Sequence, residues 1–448
     1  MLSLIGVLVI TRIIGPSGYG SYAAALALNQ YLVLLCQGGI GVYLVRTQEP
    51  ATERQFNVAI TLLGTAALVV FAVAQSVVPV ISLWFNLPDF DNLLRALLVS
   101  LPFQVLSTAA TARLERALDF RRIAMIELSS QLIYYAVALP LALAGFSVWS
   151  LVCGWCIQQV AAFVLLHVSS SYVPKPAWDR RIAASMARYS ISFSAGAWTW
   201  QLRNLINPLI VGHFMDARAV GYVSLTIRIV EMLTLVKSIA WRLSVAAFAK
   251  IQHEPKRLLN AVNYGMQLQA LATIPPLLGF AWFGGWIIPL VFGQQWDPIM
   301  GLFPFVALSY LVNAQFNMHS SALLVLHRNF DVFVSSFANV IILAATAWVA
   351  VPLFGISGYG WGEIAAILSY YALHYSLSKC LGSPDYRLPL IWCAGATIGL
   401  FWAYLGVWAI CAPFVALLWP SSVRQLYLIW QNITKREHLV DTVPGDRL

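Results

Sequence analysis

Charged residues are scarce in this chain. Asp, Glu, Lys and Arg make up 10% of its 448 residues, against ~25% in a typical soluble domain. So few charges cannot solvate the surface of a water-soluble globule of this length, which excludes a cytosolic enzyme, a secreted domain and a disordered regulator. Acidic residues are the scarcer half, 18 against 27 Lys and Arg, so the net charge is +9. In a soluble protein that excess would suggest nucleic acid; here its location decides. Cysteine is also sparse, with six residues. Cys153 and Cys156 form a CxxC inside an apolar run, where thiolate chemistry lacks the polar, accessible setting it needs, so packing is the expectation. The N-terminus lacks a basic leader and a small-residue cleavage site, so no cleavable signal peptide is expected. No metal, nucleotide or nucleophile motif is visible, and neither cofactor nor metal is expected.

Hydrophobic residues are abundant at 60% of the chain, with 17 Trp and 23 Phe and a mean hydropathy of +0.75. The chain is long enough for about a dozen ~20-residue spans. Apolar runs alternating with short charged breaks predict spans at 1–14, 20–44, 56–84, 92–112, 123–144, 147–168, 189–212, 219–241, 259–292, 299–326, 331–354 and 358–378. The final run, 388–419, is ~48 Å as one helix against a core of ~30 Å. A hairpin near Gly406 fits it better, with one steeply tilted helix as the alternative. The fold class is therefore an all-α polytopic membrane protein of 12–14 transmembrane helices, fourteen if the hairpin holds. The first span, only ~21 Å before Gly15-Pro16, is short of a crossing, and an upstream stretch is expected to be missing.

Basic residues test this layout, since cytoplasmic loops are enriched in them. With these spans, 21 of the 27 Lys and Arg fall on one side and three on the other. That side is then cytoplasmic and includes the C-terminus, and the excess charge reports topology and contact with membrane lipid, not nucleic acid. Asn432-Ile433-Thr434, in this cytoplasmic tail, is no glycosylation acceptor.

The chain also repeats. Gly15-Pro16-Ser17-Gly18-Tyr19-Gly20-Ser21 echoes Ala219-Val220-Gly221-Tyr222-Val223-Ser224. Phe120 to Gly145-Phe146-Ser147 parallels Phe330 to Gly355-Ile356-Ser357. Each pair falls at the same place in a six-helix unit, and six being even, both units enter the membrane in the same sense. Two tandem six-helix lobes are expected, a common transporter plan: an N-terminal lobe at 1–168, a linker at 169–188, a C-terminal lobe at 189–382, an extra hairpin at 383–421 and a tail at 422–448.

With these motifs placed, the chain resembles the Wzx-type polysaccharide flippases of the multidrug/oligosaccharidyl-lipid/polysaccharide superfamily, from Arg12 to about Gly382. The carriers are Arg12 to Gly20, Arg121-Arg122-Ile123-Ala124 with Ala144 to Val152, Arg203 to Gly212 followed by Val220-Gly221-Tyr222, and Phe292 to Asp297. The resemblance implies a MATE-like fold and a transporter in the bacterial inner membrane. Such a protein moves a polyprenyl-pyrophosphate-linked oligosaccharide from the cytoplasmic to the periplasmic leaflet by alternating access, for polysaccharide export. A coupling ion, H+ or Na+, would be a further partner. Asn207 stands where similar proteins often carry an acid.

Flipping such a substrate requires fixed positive charge in a water-filled cavity. Arg203 and Arg228 lie at similar depths either side of an outer turn, ~13 Å below it. Arg228 and Glu231 share a helix face, and Arg242, nearly four turns on, extends the stripe. Arg203, Arg228, Arg242 and Arg12, the last at the outer interface, are the candidate substrate contacts. Arg suits bidentate phosphate contact better than Lys. Glu231 and His319 are the candidate ion-coupling groups. The structural alternatives are an Arg228–Glu231 pair that only locks helices and a His319 that only packs. Lys237 reads as an interfacial anchor, and Glu363 as a solvated helix-end residue.

Two other functions compete. A cation-coupled multidrug extruder of the same superfamily would favour acidic binding residues. A membrane polysaccharide polymerase or ligase would need a sizeable outer loop with catalytic groups, and the outer loops here are short and plain. An enzyme is therefore not expected.

Overall fold

The computed structural model of the chain describes residues 2–46, 52–85, 87–170, 175–428 and 431. Among them every regular element is helical. This is what a hydrocarbon environment demands, since a helix satisfies its own backbone where water cannot. Helix α1 (Leu2–Gln37) breaks at Gly15, whose φ of +76° is open to a residue without Cβ. Pro16, with φ preset and no N–H to satisfy, restarts the second arm. After α2 (Ile40–Arg46), helix α3 (Glu53–Ser82) opens on a capping box, Thr52 with Gln55. Then come α4 (Phe90–Leu98), α5 (Leu101–Arg116), α6 (Phe120–Leu143) and α7 (Val148–Ser169).

Helix α8 (Arg180–Ile206) starts on Asp179, which accepts from the amides of Arg181 and Ile182 and pairs with Arg54 at 3.0 Å. The Ile182 amide, then that of Arg181 and the Arg54 charge, hold this carboxyl below the usual range. Nine residues of the expected linker, 180–188, are thus helical. It ends in a π-turn, Asn207–Val211, set by Pro208. Next are α9 (Ala217–Leu233), α10 (Leu235–Lys250), α11 (Pro255–Val291), α12 (Ile299–Val325), α13 (Asn329–Phe354), α14 (Ile356–Ala366), α15 (Tyr370–Leu381), α16 (Arg387–Leu400) and α17 (Ala412–Leu418).

Seven of the described helical segments are long and apolar enough to cross a membrane, or ten if each bent pair is one span. The outward face of α3, with Leu68, Val69, Val73 and Val80 exposed, is an apolar surface that only lipid or protein covers stably. The expected span 219–241 is two helices. It breaks at Thr234, and α9 and α10 meet at 53°. The expected hairpin at 388–419 is present. Gly406, at φ +101°, turns the chain, and the two arms pack, Trp392 Nε1 donating to Ser422 Oγ at 2.9 Å. Beyond Trp419 the helix Pro420–Leu428 swings by 58°. Of the expected interfacial helix, residues 429–430 and the Lys435-Arg436 pair lie outside the described residues.

The repeat is legible in the backbone. Gly145 and Gly355, 210 positions apart, both take positive φ, at +88° and +62°. Each introduces the turn after a long helix, α6 and α13. The other repeated motif is an interhelical contact. The second arm of α1 and the start of α9 touch backbone to backbone, so a Cβ on Gly20 would collide with the Ala217 carbonyl, and one on Gly221 with that of Pro16. Trp296, fully buried, stands edge-on to Tyr19 at 5.8 Å and to Tyr222 at 6.0 Å. The chain forms two compact units, one of Met1–Arg228, Gly285–Leu302 and Phe333–Ser369, the other of Ile229–Gly284, Phe303–Val332 and Tyr370–Leu448. In the first, Ala110, Leu114, Ile126 and Leu166 make one apolar cluster. In the second, Ala270, Trp392 and Ala416 make another.

Candidate functional site

Arg203 lies near the end of α8, 8% exposed, in the first unit. Its guanidinium forms an ion pair with Glu363 of α14 and donates to Asn339 Oδ1 of α13 at 2.6 Å. Asn339 Nδ2 in turn donates to Ala366 O and Ser369 Oγ, each at 3.0 Å. The result is a buried polar network joining three helices. The expected helix-end setting of Glu363 does not hold. It is 1% exposed and sits inside a run that resumes after a short 3-10 turn, Ile367–Ser369. Taking two charges out of water this far is costly, so each is tolerated because of the other. Asn207, one turn further along α8, donates to Ser224 Oγ at 2.8 Å and Val220 O at 3.3 Å on α9.

Arg228 differs from Arg203. It lies about 16 Å along α9 from Ala217 and its side chain is exposed. Even so, the phenols of Tyr19, Tyr22, Tyr135 and Tyr134 lie near enough to act on its charge. A crowded yet accessible cation is the setting of a side chain that lines a wet recess. No ion pair among the described residues includes it.

In the second unit, Glu231 accepts from Tyr310 Oη at 3.2 Å. The bend at Thr234 removes the helical register on which an Arg228–Glu231–Arg242 stripe depends. Arg242 is exposed on α10. Lys237, expected as an interfacial anchor, turns to a neighbouring helix. Its ammonium donates to Asn313 Oδ1 at 2.8 Å and lies 4.6 Å from the centre of the Tyr310 ring. Asn313 donates to Tyr370 Oη at 2.7 Å, extending the polar cluster to a third side chain.

His319 is fully buried, with Nε2 2.7 Å from Tyr386 Oη. The same oxygen is 2.7 Å from Nδ1 of His374. Two imidazoles thus share one phenol, and the second histidine and the tyrosine escaped sequence reasoning because they are 55 and 67 residues away. Arg12 donates to Leu290 O at 2.9 Å, and Gln295 Nε2 donates to Arg12 O at 3.1 Å. It is a tie between α1 and the end of α11.

The CxxC pair sits in α7 as free thiols, Cys156 Sγ donating to Ala96 O at 3.5 Å.

A family model described as polysaccharide biosynthesis protein matches residues 9–301. The succinoglycan biosynthesis transport protein ExoT of Rhizobium meliloti (strain 1021) is 25% identical over 314 residues, covering 67% of this chain and 62% of that protein. The match therefore spans less than two thirds of that relative's length. The lipopolysaccharide biosynthesis protein WzxC of Escherichia coli (strain K12) is 23% identical over 82% of this chain and 74% of its own. Among solved structures, lipid II flippase MurJ superposes with a TM-score of 0.71 at 14% identity, over 97% of this chain and 98% of that one. A multidrug resistance MATE family transporter of the MOP superfamily superposes with a TM-score of 0.66 at 13% identity, over 84% and 95%. These likenesses establish the fold as that of MurJ and the MATE transporters.

Proposed function

The chain belongs to the polysaccharide biosynthesis protein family, and from that premise we propose that it is a flippase for a lipid-linked oligosaccharide. It carries the polyprenyl-pyrophosphate-linked unit from the cytoplasmic to the periplasmic leaflet of a bacterial inner membrane by alternating access, and its C-terminus is cytoplasmic. The chain is a multi-pass membrane protein. The relative named as a succinoglycan biosynthesis transport protein supports a transporter over a polymerase or ligase.

The observation that carries the reading is Arg228, an accessible guanidinium on the first arm of the bent apolar pair α9–α10 and without an acidic partner among the described residues. Such a charge is expensive in a bilayer and is kept where an anion or water meets it. Its planar fork matches two phosphate oxygens at once, whereas a drug cation would be repelled. Arg242 and Arg12 are proposed as contacts towards the two ends of the path. Arg203 is proposed to reach substrate when Glu363 is protonated, so that the pair links transport to H+. Glu231 and His319, the latter with Tyr386 and His374, are the other proposed coupling groups. The tandem lobes 1–168 and 189–382 are proposed as the moving bodies.

Arg228→Ala is expected to insert at wild-type levels and to abolish export of surface polysaccharide in source cells lacking their own copy. Arg228→Lys is expected to restore a minor part, because charge survives and bidentate contact does not. Wild-type export by Arg228→Ala would overturn the reading.

A further inference from the structure

The first unit holds a second polar feature, whose lining includes none of the cations named above. A cavity of about 370 Å³ opens between α1, α5, α7 and α8. Its polar lining is Gln30 and Gln37 of α1, Gln104 and Ser107 of α5, Gln159 of α7 and Gln201 of α8. Gln30 and Gln37 are seven apart and Gln104 and Ser107 three apart, so each pair shares one helix face. Five carboxamides from four helices converge where apolar packing would be cheaper, because an unpaired amide in hydrocarbon costs several kcal/mol. The lining carries no Lys, Arg, Asp or Glu.

The amides are available. The side chains of Gln30, Gln37 and Gln159 make no hydrogen bond among the described residues. Gln104 Nε2 is spent on Ser100 Oγ at 2.8 Å, which leaves its carbonyl as an acceptor. Gln201 Oε1 accepts from Asn204 Nδ2 at 3.2 Å, which leaves its amide hydrogens as donors. A pyrophosphate would need a cation and a drug cation would need an acid, and neither is present. A ring bearing hydroxyls needs donors and acceptors side by side, which carboxamides supply, with apolar wall for its C–H faces, which Leu34 and Leu166 supply. The volume lies at the lower end of the ~300–1,000 Å³ of small-molecule sites, enough for part of a glycan and not a whole repeat unit.

We propose that this glutamine-lined cavity is the site that recognises the uncharged sugar portion of the transported lipid, separately from the cation that meets its pyrophosphate. The proposal rests on the flippase reading and adds to it the chemistry by which glycans are distinguished.

The test uses the full chain in lipid nanodiscs and two probes. One is undecaprenyl-pyrophosphate-linked oligosaccharide extracted from the source cells; the other is undecaprenyl pyrophosphate alone. Gln30→Leu and Gln159→Leu are each expected to bind the glycosylated lipid up to roughly tenfold more weakly, with binding of the bare lipid unchanged. Gln159→Asn, which keeps a shortened amide, is expected to lose less and serves if the leucine variants fold poorly. Wild-type affinity for the glycosylated lipid in the variants would overturn the proposal. So would an equal loss for both lipids, because the effect would then not be on the glycan. A wild-type protein that binds neither lipid overturns the flippase reading and this proposal with it. Normal binding of the bare lipid beside insensitive glutamines overturns this proposal alone.

Discussion

Arg203 and Glu363 hold each other in a setting where neither would be tolerated singly. Removing one partner of a buried pair leaves an uncompensated charge and costs about 3–5 kcal/mol, whereas replacing both with apolar side chains is often neutral. Arg203→Leu alone is therefore expected to lower the amount of folded protein in the membrane and its thermal stability in detergent. The double variant Arg203→Leu/Glu363→Leu is expected to recover both. Transport then separates the roles: a double variant that is stable and inactive supports a coupling pair, and one that is stable and active reduces the pair to a lock between α8 and α13–α14. That Arg203 was deep in a helix was legible from its distance to the outer turn. Its partner was not, because Glu363 lies 160 residues on and reads locally like a helix-end carboxylate. The same limit hid Tyr386 and His374 from His319, and Asn313 from Lys237. Side-chain networks that cross helices leave no mark in local spacing. Arg228 is the converse case, since sequence spacing offered it Glu231 three residues on as a partner and no ion pair among the described residues joins the two.

At the scale of elements, most helices follow the apolar runs because a run near 20 residues has few other options in lipid. Breaks are harder to read. Thr234 gives no warning in sequence that α9 and α10 part at 53°, and a continuous helix through 219–241 is the natural reading of its hydropathy. Gly406 was readable because glycine is the residue that turns a chain at positive φ. The repeated Gly-Tyr motifs were recognised as a repeat, while their contact was invisible until α1 and α9 were placed together. There Gly20 and Gly221 admit a helix backbone that no Cβ would allow. Gly221→Ala is expected to push α9 off α1 and to turn Trp296 out from between Tyr19 and Tyr222, with a loss of thermal stability in the few-kcal/mol range of overpacking, about 1–3 kcal/mol. Gly279→Ala, at a position with open space around it, is the control. A Gly221→Ala protein as stable as that control, with unchanged tryptophan fluorescence, would show that the contact yields.

For the whole molecule, the question left by a charge-poor, basic chain is which way it is threaded, and the C-terminal hairpin decides the last turn of that path. From Arg387 to Gly406 is twenty residues, ~30 Å if helical, which equals the hydrocarbon core. The return arm through α17 and the bent helix Pro420–Leu428 packs back on α16 through Trp392 and Ser422. Two crossings put Ser383 and Arg424 on one face and Val407 on the other. A single tilted helix would instead put Ser383 and Arg424 on opposite faces, and the basic tail would leave the side expected to carry most other Lys and Arg. In a background with the six native cysteines replaced, Ser383→Cys, Val407→Cys and Arg424→Cys each place a thiol at an exposed position. A membrane-impermeant maleimide added to intact cells is expected to label position 407 alone, and to label 383 and 424 only in inverted vesicles. Labelling of 424 from outside would reverse the tail, contradict the charge asymmetry of the loops, and require one crossing fewer between Arg387 and the C-terminus.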